Sequence, residues 1–226
     1  NPELVRAKAL GLKIYSFPEY LYQQTRSKTR IVIGGSHGKT TTTAMILFVL
    51  KQLKIDVDYM VGAQIEGFDN MVRLSYESRI AVFEGDEYLT SPIDRRPKFH
   101  LYKPHIAVLT GIAWDHINVF PTFENYIAQF KKFTELMEVQ GRLIYFNGDD
   151  NLNEIAQHLR RDIVPFPYNT PEYEVINGIT ILKTKYGDVP LKVFGEHNLQ
   201  NMNAARLACK QIGVSDEQFY SVITNF

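Results

Sequence analysis

The clearest chemistry in this sequence lies in a glycine-rich turn that ends in Lys39-Thr40. The turn follows the apolar run 31–33 and precedes apolar residues at helical spacing over 44–53. A strand, a glycine turn and a helix N-terminus together present backbone N–H groups and a favourable dipole to a phosphate. The ammonium group of Lys39 could reach the β- and γ-phosphates of a nucleotide, and the Thr40 hydroxyl could ligate Mg²⁺. The pattern therefore predicts binding of ATP or a related nucleotide.

The turn departs from the general phosphate-loop pattern by one residue. That pattern places a glycine five residues before the second glycine, where this chain has Ile33, so the loop is Gly35-x-x-Gly38-Lys39-Thr40. The alternative is an ordinary strand-to-helix turn with a surface lysine. Strand, glycines, Lys-Thr pair and helix coincide here, which favours the nucleotide site.

Two further polar clusters follow apolar runs. Glu84-Gly85-Asp86-Glu87 comes after the run 80–83, and a carboxylate there could ligate Mg²⁺ across from the glycine turn. Asp115-His116 comes after the run 105–109, where a neutral imidazole could ligate a metal and the adjacent acid could orient it. An ordinary acidic turn and a chance Asp-His pair are the alternatives, but a shared sheet edge would favour a functional role.

A fourth pattern lies near the end of the chain, where His197-Asn198 is followed by Asn201. Asn198 and Asn201 are one helical turn apart, so their amides share a face near a helix start. An amide offers both a donor and an acceptor, which suits the edge of an adenine base. Capping of the helix by Asn198 is the structural alternative, and it is compatible with a ligand role.

Continuous apolar strands that alternate with helices indicate a parallel sheet covered on both faces. We therefore expect an α/β fold like that of P-loop NTPases, with function at the carboxyl ends of the strands. Alternation over 173–193, with turns at 177–178 and 186–188, predicts a small antiparallel ribbon. The predicted strands are 30–34, 56–61, 80–83, 105–109, 143–146 and 163–167. The predicted helices are 3–10, 18–25, 39–53, 122–137, 151–160, 198–212 and one from Asp216, capped by Ser215.

Composition narrows the class of protein. The 226 residues, 45% of them hydrophobic, suit one large α/β domain, and equal numbers of basic and acidic residues argue against a nucleic-acid or anionic-membrane surface. The sequence has no apolar stretch of membrane-spanning length and no signal-peptide pattern at Asn1, so we expect a cytoplasmic protein. The single cysteine, Cys209, excludes an internal disulfide and is expected to serve packing.

The four motifs, taken in order over residues 34–205, resemble those of the Mur ligases, ADP-forming enzymes that make amide bonds in peptidoglycan precursors. The resemblance implies ATP and Mg²⁺ as cofactors, with Lys39, Glu84 and His116 as catalytic residues. It implies Thr40, Glu84 and His116 as metal ligands. The implied ATP contacts are Gly35, Ser36, His37, Gly38, Lys39, Thr40, Thr41, His197, Asn198 and Asn201. Some members carry a carbamylated lysine near Lys131, although a solvated helix lysine beside Lys132 is the favoured interpretation.

The resemblance covers only the central ATP-binding domain of these ligases, here 30–226. Residues 1–29 resemble a linker and the end of an amino-terminal UDP-sugar domain. We expect the chain to be a fragment that lacks this domain and the carboxy-terminal domain, and that is inactive alone.

Within the family, several segments resemble members that join the tripeptide L-alanyl-γ-D-glutamyl-meso-diaminopimelate to UDP-N-acetylmuramate in peptidoglycan recycling. These segments are 86–88, 91–94, 98–99, 102–104 and 115–120. In such a reaction the sugar-linked carboxylate attacks the γ-phosphate of ATP, and the peptide amine captures the acyl phosphate. Members that add L-alanine to the same sugar are the alternative, and a P-loop regulatory module that binds nucleotide without ligation is an alternative of a different class.

Overall fold

A computed structural model describes all residues, 1–226, and contains one large sheet with helices on both faces. The strands are β1 (Thr29–Gly34), β2 (Asp58–Met60), β3 (Val72–Arg73), β4 (Ile80–Glu84), β5 (Leu89–Ser91), β6 (Asp94–Pro97), β7 (Ile106–Leu109), β8 (Arg142–Phe146), β9 (Val164–Tyr168), β10 (Tyr173–Ile176), β11 (Ile179–Thr184) and β12 (Gly187–Leu191). The helices are α1 (Pro2–Ala9), α2 (Phe17–Thr25), α3 (Lys39–Gln52), α4 (Phe123–Glu135), α5 (Asp150–Gln157), α6 (Glu196–Gln211) and α7 (Asp216–Ile223), with a 3₁₀ turn at Lys98–Leu101.

The large sheet has seven strands in the order β3-β2-β4-β1-β7-β8-β9. Neighbouring strands are parallel, except that β3 pairs antiparallel with β2 at one edge. Strands β10, β11 and β12 form a separate antiparallel sheet, as predicted for the ribbon. The predicted fold class is therefore confirmed.

Successive side chains of a strand point to opposite faces of the sheet, so the sheet has an apolar core layer on each face. Ile31 and Ile33 pack with α3, α6 and α7 on one face, whereas Val32 packs with α4 and α5 on the other. Cys209 is fully buried in the first layer, as expected for a packing residue, and burial raises the pKa of its thiol. None of the helices combines the length and apolar character that a membrane span requires.

Local signals set most element boundaries. Ser215 caps α7 in a capping box with Gln218, as predicted, and Ser16 caps α2 in the same way with Glu19. Helix α6 begins at Glu196, two residues before the predicted start at 198, and Gly195 occupies the cap position without a side-chain bond, so the alternative in which Asn198 caps the helix does not hold. Strand β3, the β5–β6 hairpin and the 3₁₀ turn were not predicted, since each is too short to show a hydrophobic period.

Strand register brings the predicted motifs to one edge of the sheet. Ile33 pairs with Glu84 on β4, and Gly34 pairs with Leu109 on β7. The glycine turn, the acidic turn and the segment 110–116 therefore leave three adjacent strands at their carboxyl ends, as expected for a site in an open α/β sheet.

Candidate active site

The glycine turn ends in a helix whose first N–H groups are free. Gly38 caps α3 in the left-handed region, at φ 80°, and no side chain bonds to the helix start. The backbone N–H groups of Lys39, Thr40 and Thr41 have no acceptor within the protein. Free N–H groups at a helix N-terminus form an anion site, so this loop has the geometry for binding a phosphate.

Close approach of neighbouring side chains requires glycine at two positions of the loop. A Cβ atom on Gly38 would overlap with the amide oxygen of Asn201, and one on Gly35 would overlap with the Thr110 hydroxyl. Both glycines also have positive φ, which disfavours any residue with a Cβ atom. Asn201, one of the two amides predicted to contact ATP, therefore packs directly against the loop.

The segment after β7 is tied to the glycine turn through Ser36. The Ser36 backbone N–H donates to the Gly111 carbonyl at 2.9 Å. The Ser36 hydroxyl donates to the Ala113 carbonyl at 2.7 Å and accepts from the Ala113 N–H at 2.8 Å. Thr110 adds a hydrogen bond from its hydroxyl to the His37 carbonyl. These bonds fix segment 110–113, which leads to His116, relative to the phosphate loop.

Glu87 lies at the centre of the site, although sequence analysis assigned it no role. Its side chain is fully buried, and its carboxylate accepts a hydrogen bond from Lys39 Nζ at 3.1 Å and one from the Tyr126 hydroxyl at 2.9 Å. His116 Nε2 lies 3.3 Å from the same carboxylate. Burial raises the pKa of Tyr126; a hydrogen bond with Ser36 opposes this shift, and the charge of Glu87 adds to it, so the hydroxyl keeps its proton. The acidic motif 84–87 predicted a functional carboxylate at this turn, but the motif alone does not show which of its side chains is buried in the site.

Lys39 is folded back over its own loop. Besides Glu87, its ammonium group donates to the Gly35 carbonyl at 2.6 Å. These two hydrogen bonds hold the Lys39 ammonium group beside the loop that carries the free N–H groups.

Glu84 and Thr40 form a pair of oxygen donors at the end of the phosphate loop. The Thr40 hydroxyl donates to one Glu84 oxygen at 2.8 Å, and the Gly62 N–H donates to the other at 2.8 Å. Hydroxyl, carboxylate and phosphate oxygens are ligands that suit Mg²⁺, so these two residues fit the ion. No group of three or more His, Cys, Asp or Glu side chains forms a ready metal cluster, and His116 pairs instead with acids. The metal role of His116 stays a prediction.

His116 adopts an unusual backbone conformation. Its φ of 56° lies in the left-handed region, which costs a residue with a Cβ atom roughly 1 kcal/mol. Its ring packs against Tyr88 with centroids 4.1 Å apart, and Nδ1 lies 3.6 Å from Asp115. Strained backbone that surrounding contacts hold in place is common at functional sites.

Some of the side chains described above line a cavity of 450 Å³, whereas Thr40 and Glu87 do not. Its lining includes the predicted catalytic residues Lys39, Glu84 and His116. It also includes Asp86, Tyr88 and Lys98. A larger cleft of 860 Å³ lies against α2, the 3₁₀ turn and α4, but none of the predicted site residues lines it.

The remaining predicted residues do not line this cavity. His197 and Asn198 are at the start of α6, where the Asn198 amide donates to the Phe194 carbonyl at 2.9 Å. Lys131 pairs with Glu154 at 2.7 Å, and both side chains are about half exposed. Lys131 lies outside the cavity, which agrees with the interpretation as a solvated lysine.

Comparison with known proteins gives consistent results. The sequence model of the Mur ligase middle domain matches residues 33–209. A UDP-N-acetylmuramate–L-alanine ligase of Carboxydothermus hydrogenoformans is 30% identical over 227 residues, which are 95% of this chain and 47% of that protein. A ligase of the same name from Desulfitobacterium hafniense is 28% identical over 235 residues, covering 100% of this chain and 51% of that protein. The chain thus spans about half the length of the curated relatives it matches.

Solved structures share the fold. The UDP-N-acetylmuramate:L-alanyl-gamma-D-glutamyl-meso-diaminopimelate ligase from Neisseria meningitides has a TM-score of 0.85 at 23% identity, covering 99% of this chain and 74% of that chain. The UDP-N-acetylmuramate-alanine ligase from Thermotoga maritima has a TM-score of 0.72 at 22% identity, and the match covers 100% of this chain and 52% of that chain.

Proposed function

The chain belongs to the Mur ligase family, and from this premise we propose that it is the ATP-binding central domain of an ADP-forming amide ligase. In the full-length protein, a UDP-sugar domain precedes it, ending in residues 1–29, and a further domain follows it. The protein joins an amino acceptor to UDP-N-acetylmuramate in the cytoplasm. The chain's coverage of about half of its relatives supports this domain arrangement.

One observation carries the proposal: the free N–H groups at the start of α3 lie on the same sheet edge as Lys39 and the Thr40–Glu84 pair. These are the groups that phosphoryl transfer needs, because catalysis of that reaction is mainly positioning and neutralisation of charge. The loop N–H groups and Lys39 bind the phosphates of ATP, while Thr40, Glu84 and His116 hold magnesium. Mg²⁺, when bound, neutralises the charge on the transferring phosphoryl group.

The proposed reaction has two steps. The carboxylate oxygen of UDP-N-acetylmuramate attacks the γ-phosphorus, the bond to the β-phosphate oxygen breaks, and ADP leaves. The acceptor amine then attacks the acyl carbon, an amide forms, phosphate leaves, and the amine loses a proton. During the first step Lys39 exchanges its bonds to Gly35 and Glu87 for bonds to phosphate oxygens.

Nucleotide binding is tested with Lys39→Ala in the full-length protein. We expect this variant to lose ATP binding while it stays folded at the assay temperature, although its unfolding temperature should fall because the buried Glu87 carboxylate loses its cationic partner. Lys132→Ala is the matched control, because it removes a surface lysine that only pairs with Glu135 on the same helix. Unchanged ATP affinity in a folded Lys39→Ala variant would contradict the phosphate-loop assignment.

The metal assignment is tested with Glu84→Gln. We expect it to weaken Mg²⁺-dependent nucleotide binding more than binding without the ion, since it replaces one carboxylate oxygen ligand with an amide nitrogen. Equal losses with and without Mg²⁺ would remove Glu84 from the set of metal ligands.

We propose the tripeptide L-alanyl-γ-D-glutamyl-meso-diaminopimelate as acceptor, with L-alanine as the second candidate. The segment 88–102 supports the tripeptide by its resemblance to ligases of that type, and so does the name of the structurally similar Neisseria ligase. The names of the curated relatives support L-alanine. The comparison of kcat/KM for the two acceptors decides between them, because that ratio measures specificity.

A further inference from the structure

Lys98 is a cationic side chain of the cavity for which the proposed mechanism has no role. We propose that Lys98 binds the lactyl carboxylate of UDP-N-acetylmuramate, the group that attacks ATP; this inference rests on the proposed function. The carboxylate and the γ-phosphate are both anionic and must come into contact, so the nucleophile needs a cation of its own.

The backbone fixes Lys98 relative to the acidic turn. The Lys98 N–H donates to the Tyr88 carbonyl at 2.9 Å, and the next residue, the fully buried Phe99, donates to the Asp86 carbonyl at 3.1 Å. Lys98 therefore begins the 3₁₀ turn at a set distance from the strand that ends in Glu84. Both Lys98 and Glu84 line the cavity.

The ammonium group of Lys98 has N–H donors without a partner in the protein. Its ammonium group donates to Asp86 at 2.6 Å, and both side chains are about one-third exposed. An ammonium group has three N–H donors, and only this one bond is made within the protein. Asp86 is itself held by the Tyr88 N–H at 2.8 Å, so it keeps the Lys98 ammonium group in the cavity before substrate binds.

The other basic side chains of the cavity already have partners. Lys39 faces the phosphate loop and Glu87, and His116 lies between Glu87 and Asp115. Lys98 is thus the group with free capacity for an anion.

The test uses Lys98→Met in the full-length protein and calorimetric binding of two nucleotide sugars. UDP-N-acetylglucosamine has the same nucleotide and sugar as UDP-N-acetylmuramate but lacks the lactyl carboxylate. We expect affinity for UDP-N-acetylmuramate to fall roughly tenfold or more, as for loss of a hydrogen bond to a charged group. Affinity for UDP-N-acetylglucosamine is expected to change by less than about twofold, because the missing contact is absent there.

Three controls accompany the measurement. Arg95→Met removes a cation from the neighbouring β5–β6 hairpin, outside the cavity, and should change neither affinity. Lys98→Arg should recover part of the loss, and Mg-ATP affinity should stay at the wild-type value in every variant. If Lys98→Met lowers the unfolding temperature, the same comparison is made with Lys98→Gln.

Equal losses for the two sugars would overturn the assignment, and so would wild-type affinity for UDP-N-acetylmuramate in the folded variant. A defect confined to the KM of the amino acceptor would also overturn it, since Lys98 would then bind the acceptor carboxylate. These outcomes are separable from failure of the proposed function. If the wild-type protein forms no ADP with sugar and acceptor, the function is wrong; if it does and Lys98→Met binds normally, only the role of Lys98 is wrong.

Discussion

The hydrogen bond from Tyr126 to Glu87 should be worth more than an ordinary buried hydrogen bond, and this can be measured. The Tyr126 hydroxyl donates to a carboxylate that is fully buried and paired with Lys39. A hydrogen bond to a charged group contributes about 1.5 to 3 kcal/mol, against about 1 kcal/mol for a neutral one. Tyr126→Phe should therefore lower the free energy of unfolding by about 1.5 to 3 kcal/mol.

The same substitution should cost less when Glu87 is uncharged. Glu87→Gln keeps the shape and leaves a neutral acceptor, so Tyr126→Phe in that background should cost about 1 kcal/mol. The difference between the two costs is the coupling energy of a double-mutant cycle. Urea denaturation of the 226-residue chain, followed by two spectroscopic probes to check two-state behaviour, gives the four unfolding free energies.

Tyr102→Phe is the matched control for this experiment. Tyr102 is also fully buried, but its hydroxyl has no hydrogen-bond partner. Removing that hydroxyl should leave stability unchanged or raise it, because an unsatisfied buried polar group is lost. If Tyr126→Phe costs the same within about 0.3 kcal/mol in both Glu87 backgrounds, the two side chains are not coupled and the charge-assisted hydrogen bond between them is refuted.

Two further predictions concern the loop and the pH dependence of stability. Gly38→Ala should weaken ATP binding, measured by calorimetry, and should lower stability in urea by more than Gly178→Ala does. Both glycines have φ near 80°, but only at Gly38 would the new Cβ atom meet a neighbouring side chain. Equal effects of the two substitutions would contradict the packing of Asn201 on the loop. Burial lowers the pKa of His100, so the unfolded chain takes up the proton first and stability should fall as pH drops below about 6.5. The drop in unfolding free energy between about pH 7.5 and about pH 5.5 should be smaller in His100→Gln, and an equal drop in both proteins would exclude His100 as a source.

Much of the fold could be predicted from sequence because most helices and strands are long enough to show a clear periodicity of apolar residues. The buried runs around Ile31 and Val108 and the aromatic stripe of α4 belong to elements that pack on both faces of one sheet. The hairpin β5–β6 and strand β3 have no such period, and tertiary contacts define them. The start of α6 also depends on context, since Gly195 ends the preceding segment and leaves Asn198 inside the helix.

The sequence predicts which residues follow neighbouring strands, but it does not predict the contacts among them. Lys39, Thr40 and Glu84 were predicted from motifs that local spacing determines. The contacts of Glu87 join positions 39, 116 and 126, which lie on different elements, so no local pattern reveals them. The same holds for Asn201, whose approach to Gly38 depends on how α6 packs against α3.

The central claim is tested most directly by ADP formation in the full-length protein supplied with Mg-ATP, UDP-N-acetylmuramate and the tripeptide. A ligase with an acyl-phosphate intermediate should release ADP and phosphate in equal amounts with the amide product, and omission of either the sugar or the acceptor should stop turnover. Repeating the assay with L-alanine identifies the acceptor without altering this test. Steady ADP release that needs neither sugar nor acceptor would contradict the account and would indicate a nucleotide-hydrolysing regulatory module instead.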